Sequence, residues 1–395
     1  MTILITICGG GNAAHVLAGL LGDREGFSVQ IYTPYGDEAK RWQDGIQRNG
    51  GITVNTPTGK VVGHPRAVCR DPGPAVAGSR VVLLALPAFA HETILRQIAP
   101  HLSPSAWIGA LPARGGFDLC ARDVLKEGAS DRSIFGFQTL PWACRIQRYG
   151  QSVGILGTKD QVDLTVWPPK LAPIIAAMMQ EALGITLNPI GNFLSLTLAD
   201  TGQLIHPGVM YGLFREWNGQ PYKEPCLFYQ GVDAATAEML QQMSNEVQAI
   251  RVALEKRYSR LDLSAVRPLG EWLQRSYHAV IADSSTLQSS FVSNRAYEGL
   301  LAPMQKVDGG FIPDFKARYL SEDVPFGLLV TRGIAELAGI ATPIVNQVLS
   351  WAQNRLEKDY LTTNGLQGAD VCSTRAPQRY GFDSLDRFVL GMGYL

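Results

Sequence analysis

Apolar positions in the first half of the chain come in short β-rich runs, and each run is followed by a stretch with helical spacing. Ile3 to Cys8, Ser28 to Thr33, Val81 to Leu86, Ala106 to Ala110 and Ser133 to Gln138 read as buried strands. Asn12 to Leu21, Gly36 to Gln47, Ala90 to Ile98 and Phe117 to Lys126 read as helices between them, with Gly or Pro at most junctions. That alternation predicts a mostly parallel sheet covered by helices, because parallel neighbours are joined by crossovers. Gly51 to Val54 and Lys60 to Val62 flank Thr56-Pro57-Thr58-Gly59 and predict an inserted hairpin, whose role the pattern does not reveal.

From about Pro189 the strand signals fade. Helical spacing dominates Phe193 to Gly202, Asp233 to Lys256 and Val330 to Ala338. Along Ala234 to Tyr258, Met239, Leu240, Met243, Val247, Ile250, Val252 and Leu254 are expected to form one buried face, as core packing and not as a cofactor contact. No internal repeat or low-complexity tract interrupts the pattern.

Length turns this change of pattern into a domain prediction. At 395 residues the chain exceeds what one core usually supports, so we expect an α/β domain over 1–188 and a mainly helical one over 189–395. Apolar residues at 46% against 18% charged give both enough core material. Thirty-five basic and 35 acidic residues cancel and form no basic stripe, which speaks against nucleic acid as a partner. The longest uncharged apolar run, Val81 to Ala90, contains Pro87 and is about half of what a spanning helix needs, so no membrane segment is expected. Met1 to Cys8 lacks a basic flank and ends too soon in glycines for a secretory leader. The six cysteines are scattered, with no CxxC pair and no histidine at zinc spacing, so we expect free thiols in the cytoplasm and no metal site.

The chemistry begins at the first turn. Ile3 to Cys8 runs into Gly9-Gly10-Gly11-Asn12-Ala13-Ala14 and then an apolar helix, a G-x-G-x-x-A fingerprint in its required context. Gly9 permits the tight turn, Gly11 lets the backbone approach a pyrophosphate, and Ala14 keeps helix and strand close enough for the helix N-terminus to face the anion. A Rossmann-type doubly wound sheet binding a nicotinamide dinucleotide is the reading, against a merely structural turn. The acid usually found at the end of the second strand is missing, since Tyr32-Thr33-Pro34-Tyr35 stands there and the first acids are Asp37 and Glu38. No arginine stands there either, which favours NAD over NADP, although Lys40 and Arg41 lie on the next helix.

Longer strings make the reading more specific. Leu86-Pro87-Ala88-Phe89-Ala90-His91-Glu92 and Thr139-Leu140-Pro141-Trp142-Ala143-Cys144-Arg145 resemble the animal opine dehydrogenases. So do Phe228 to Asp233, Val307 to Gly310, Arg318 to Pro325 and Pro377 to Asp383, in the family's order, so the similarity runs from Met1 to about Phe388. The resemblance implies a helical opine dehydrogenase domain after the Rossmann domain, with cofactor and substrates meeting in a cleft. It implies a reaction in which pyruvate and an amine form an imine that NADH reduces, regenerating NAD for glycolysis at low oxygen. It also implies a monomer.

Residue by residue, the resemblance makes His206 the acid/base and Asp323 its carboxylate partner, with Arg318 receiving a substrate carboxylate. Such roles suit an imidazole near working pH and a guanidinium fork. Read alone, these are equally a core histidine before Pro207, a helix-start charge and a salt-bridging arginine. Thr139 matches a hydroxyl on the pyruvate side, Cys144 a residue near the amino-acid pocket, and Trp272 an aromatic wall that core packing would explain as well. Pro87 and Phe89 join Gly9, Gly11, Asn12, Ala13 and Ala14 as cofactor contacts. Where octopine-forming members have a glutamine near pyruvate this chain has Arg114, and where they have a tyrosine shortly before the histidine it has Gly202. These departures put arginine as donor in doubt and open alanine, glycine, β-alanine or taurine. A hydroxy acid dehydrogenase of related architecture is the alternative enzyme, and a non-catalytic nucleotide-binding protein the alternative of another class.

Overall fold

The computed structural model describes residues 2–126 and 132–395. The chain divides into two compact units, Met1–Leu196 and Thr197–Leu395.

The first unit opens as the pattern predicts, with β1 (Ile3–Cys8), α1 (Asn12–Asp23), β2 (Phe27–Tyr32) and α2 (Glu38–Asn49). The inserted hairpin follows as β3 (Ile52–Thr56) and β4 (Gly59–Gly63). Then come β5 (Ala67–Cys69), α3 (Pro72–Val76), β6 (Val81–Leu84), α4 (Ala88–Ile98), β7 (Trp107–Ala110), α5 (Phe117–Leu125) and β8 (Ser133–Phe137). Strands β9 (Trp142–Arg148), β10 (Ser152–Thr158), β11 (Gln161–Trp167) and β12 (Thr186–Pro189), with α6 (Ala172–Leu183) before the last, complete the sheets. Eight strands form the main sheet in the order β12-β11-β8-β7-β6-β1-β2-β5. All its pairings are parallel except β8 with β11. Strand order reverses at β1, so the glycine turn leaves the sheet at a topological switch point, where such folds bind ligands.

The hairpin has a structural task. Strands β4-β3-β10-β9 make a second sheet that lies against α1, where Val54 and Ile52 leave no room for a side chain at Gly19. The sequence pattern missed β9 to β12 because strands like β9 are buried on one side only: Trp142 and Cys144 face in, Ala143 and Arg145 face out. A continuous apolar run marks a strand covered on both faces, not one of these.

The second unit is helical, as expected. The division between the units falls within α7 (Phe193–Leu198). The expected single helix from Phe193 to Gly202 is broken, because the Asp200 carboxylate accepts from the Gly202 N–H at 3.0 Å and a new helix, α8 (Gly202–Phe214), starts there. It is followed by α9 (Ala234–Arg257), α10 (Leu269–Tyr277), α11 (Leu287–Val292), the hairpin β13 (Met304–Val307) and β14 (Gly310–Pro313), and α12 (Arg318–Ser321). A π-helical turn over Val324–Leu328, then α13 (Leu329–Ala338), α14 (Pro343–Leu356) and α15 (Leu385–Met392), finish the unit. Asp233 caps α9 by accepting from the Thr236 N–H at 2.7 Å. Gly208 and Gly212 bring α8 onto Leu240 and Thr236 of α9. The α9 stripe is buried as expected except Val252, which is 61% exposed, because at 100° per residue it falls off the face shared by Met243, Val247, Ile250 and Leu254.

All six cysteines are free thiols. Among the described residues no helix is long and apolar enough to cross a membrane, and no three His, Cys, Asp or Glu residues are grouped to hold a metal.

Candidate active site

The glycine run holds three glycines for three different reasons. Gly9 has φ +133°, and a Cβ there would lie 2.5 Å from the Ala85 carbonyl oxygen. At Gly10 a Cβ would lie 2.5 Å from a Glu38 carboxylate oxygen and 2.7 Å from the Tyr149 hydroxyl. At Gly11, the residue that caps α1, a Cβ would meet nothing within 4 Å. That open space above a helix N-terminus is where a pyrophosphate fits. Ala13 and Ala14 are buried where helix and strand pack. The Asn12 side-chain oxygen accepts from the Ile146 N–H at 2.9 Å, so what Asn12 offers an anion is its backbone N–H.

Behind the turn stands a brace that no motif announced. His15 is fully buried. Its Nε2 accepts from the Gly150 N–H at 2.9 Å and its Nδ1–H donates to the Gly11 carbonyl at 2.9 Å, which fixes the neutral tautomer. Burial lowers its pKa to about 4, against the opposing pull of the Gly11 bond. The ring lies against Trp42 at 3.9 Å, tilted by 32°, and meets Tyr149 edge-on at 5.0 Å. Tyr149 carries the Arg41 guanidinium 4.0 Å above its ring, and the Thr33 hydroxyl donates to Glu38. The glutamate at the start of α2 thus reaches back to the end of β2, where the strand itself carries no acid. Position 38 was visible in the sequence; its approach to Gly10 was not.

Pro87 precedes α4, and Phe89 is 57% exposed on its first turn. His91 Nε2 contacts the Leu86 carbonyl at 3.0 Å and ties this turn down. Arg114, half-buried between β7 and α5, adopts a positive φ of 62°. Thr139 lies in the loop after β8. Cys144 sits on β9 with its thiol inside the core, and burial raises its pKa.

In the second unit His206 and Asp323 come together from 117 residues apart. Nδ1 of His206 lies 2.7 Å from Asp323 Oδ2, and the carboxylate is almost fully buried. Two elements bring this about: α8 carries the histidine, and Asp323 stands at the head of the π-helical turn, a distortion often found at functional sites. Gln203 locks α8 in place, donating to the Thr197 carbonyl and accepting from the Thr331 hydroxyl, both at 2.8 Å. Tyr319 stacks on the imidazole at 4.3 Å and 11°. The Tyr229 hydroxyl lies 3.1 Å from His206 Nε2, a contact that sequence reasoning missed although Tyr229 stands in one of the quoted strings. Burial pushes this phenol well above its usual range, and neighbouring Tyr319 and Tyr277, a bond to Tyr319 and the Asp323 charge add to the effect. Arg318 ties its Nε to the buried Glu322 carboxylate and remains 56% exposed. Trp272, half-buried on α10, meets Tyr277 edge-on at 6.0 Å. The contacts of Arg318 and Trp272 run to Glu322 and Tyr277, and the pair that the structure assembles is His206 with Asp323, flanked by Tyr229 and Tyr319.

A dinucleotide turn in one unit and a carboxylate-held histidine in the other define a nicotinamide-dependent dehydrogenase. Residues 189–356 match the family model of the NAD/NADP octopine/nopaline dehydrogenase alpha-helical domain. The chain is 38% identical to octopine dehydrogenase from Pecten maximus, over 99% of this chain and 100% of that one. It is 38% identical to tauropine dehydrogenase from Arabella iricolor, over 97% of this chain and 99% of that one. A solved octopine dehydrogenase structure with NADH and pyruvate superposes with a TM-score of 0.89 at 36% identity, covering 99% of this chain and 98% of that one. The chain belongs to the opine dehydrogenase family.

Proposed function

We propose that the protein condenses pyruvate with the amino group of a small amino acid or related amine and reduces the imine, oxidising NADH. The observation that carries the reading is the His206–Asp323 contact at 2.7 Å, within the helical domain that the family model matches. A solved relative with NADH and pyruvate supports both ligands. The glycine turn fits the dinucleotide, since Gly11 leaves the helix N-terminus open. Bound there, NADH supplies the hydride.

The chain's own residues handle the protons. Asp323 accepts from Nδ1–H, which leaves the Nε2 lone pair of His206 to take a proton from the substrate ammonium and expose a nucleophilic amine. The amine adds to the keto carbon, and His206 returns the proton to the carbonyl oxygen as water leaves. Asp323 stabilises the imidazolium between these steps. With its Nε committed to Glu322, Arg318 presents its remaining N–H groups to a substrate carboxylate. Arg114 and Thr139 hold the pyruvate side, while Cys144 and Trp272 shape the amine pocket. An added cation at Arg114 and a missing aromatic at Gly202 favour a small donor, and a relative is a tauropine dehydrogenase. Free thiols at all six cysteines support a cytoplasmic enzyme. There, as a monomer, it recycles NAD for glycolysis at low oxygen.

The test is NADH oxidation with pyruvate plus arginine, alanine, glycine, β-alanine or taurine, against pyruvate alone. Turnover that requires an amine is expected, highest with one of the four small donors. Equal rates in the blank would return the hydroxy acid reading.

A further inference from the structure

The Phe228 to Asp233 string contains a group for which the mechanism above has no use. Tyr229 sits between the acid/base and a wall of aromatic rings. Its ring stacks on Tyr297 at 4.0 Å and 17° and lies parallel to Phe291 at 6.4 Å and 4°, so its direction is set by packing. Its hydroxyl is 3.1 Å from His206 Nε2.

Which atom donates follows from the other side of the imidazole. Asp323 as a carboxylate only accepts, and it takes Nδ1 at 2.7 Å. The neutral ring therefore has its proton on Nδ1 and a lone pair on Nε2, which only a donor satisfies. The phenol of Tyr229 is that donor, and burial, which holds its titration well above the usual range, favours the O–H form. The groups around the imidazole are then accounted for: Asp323 on Nδ1, Tyr229 on Nε2 and Tyr319 against one face. Tyr277 and Tyr297 stand behind Tyr229, and Arg318 is paired with Glu322.

We propose that Tyr229 is a positioning residue for the proton transfer: it donates to His206 Nε2, keeps the lone pair of the neutral ring aimed, and yields that bond when substrate ammonium arrives. The proposal rests on the reading of His206 as the acid/base. Tyr229 keeps its own proton throughout; only the ammonium proton moves, from substrate nitrogen to Nε2.

The test is Tyr229→Phe, which keeps the stacked ring. A hydrogen bond to the neutral form disfavours the charged one. Its loss moves the limb of the kcat/KM profile for pyruvate that belongs to His206 to higher pH, by about half to one unit, and lowers turnover below that limb about fivefold. An unmoved limb, or one displaced to lower pH, would overturn the proposal. His206→Asn, measured alongside, must abolish that limb; if it does not, the acid/base reading has failed. Tyr229 is then judged without turnover, by the nitrogen NMR shifts of the His206 ring in the substrate-free wild type. A proton on Nδ1 with a hydrogen-bonded, unprotonated Nε2 supports the proposal; a proton on Nε2 overturns it. That measurement needs no variant to fold.

Discussion

Two nitrogens of one imidazole are told apart here by a carboxylate that cannot donate. Asp323→Asn replaces it with a group that can, and the amide N–H is then free to push the ring proton onto Nε2, the atom that must stay bare. Turnover should drop on the order of 10³–10⁴-fold, as when a triad aspartate is amidated, with NADH affinity by fluorescence titration unchanged; a loss under tenfold would remove Asp323 from the proton chemistry. In the first unit, Gly10 is held to glycine by side chains and not by its backbone. Gly10→Ala should weaken NADH binding about tenfold or more, since Glu38 and Tyr149 must move, and shortening position 38 with Glu38→Ser should recover part of it. The same rescue should fail for Gly9→Ala, whose obstacle is the Ala85 backbone and a φ of +133°. Equal rescue of both would show that crowding at Gly10 is not the constraint. The glycines were legible in the sequence, but the reason for the middle one was not, because it depends on two side chains from distant parts of the chain.

Among elements, the second sheet matters through its contact with α1. The β9–β10 turn at Gly150 hydrogen-bonds His15 and presses on α2, where a Cβ at Gly45 would lie 2.5 Å from the Gly150 oxygen. The neutral ring that this contact requires gives it a pH dependence. The folded-state pKa of His15 is lowered to about 4 from 6.5, so as pH falls the unfolded chain takes the proton first. The stabilisation is complete above about 6.5 and is lost as pH falls toward about 4. Urea unfolding at pH 7.5 and at pH 4.5 should show the wild type losing about 2–3 kcal/mol more than His15→Gln; equal losses would take His15 out of the acid response. The β3–β4 hairpin was readable from its turn residues, whereas β9 and β10 were not, since an alternation of Trp142 and Cys144 with Ala143 and Arg145 is brief and mixed. Breaks between helices were also hidden: the turn in which the Asp200 carboxylate accepts from the Gly202 N–H is a matter of geometry that periodicity does not carry.

For the whole molecule, the order of elements was the most legible feature. Parallel strands leave continuous apolar runs, and the change to helical spacing near Pro189 marks where the sheets end, at β12. The site was legible only through long strings shared with a family. His206, Tyr229 and Asp323 are drawn from α8, a loop and the head of a π-helical turn, and no period links such positions. Residues whose task depends on the nearest motif, such as Gly9 and Gly11, could be read from local chemistry; those whose task depends on a distant partner could not.

The acid/base pair lies entirely within Thr197–Leu395, and the dinucleotide turn entirely within Met1–Leu196. That division bears on how such a chain can change over generations. A genetic crossover in the short stretch between β12 and α7 would exchange the cofactor-holding half and leave His206, Tyr229 and Asp323 intact. On the proposed reading a shift in amine preference has no such shortcut, because Arg114, Thr139 and Cys144 are inherited with one half and Arg318 and Trp272 with the other. That reading has new donors reached by scattered point changes, with Arg114 and Gly202 as the proposed examples, and new cofactors by the exchange of a single block.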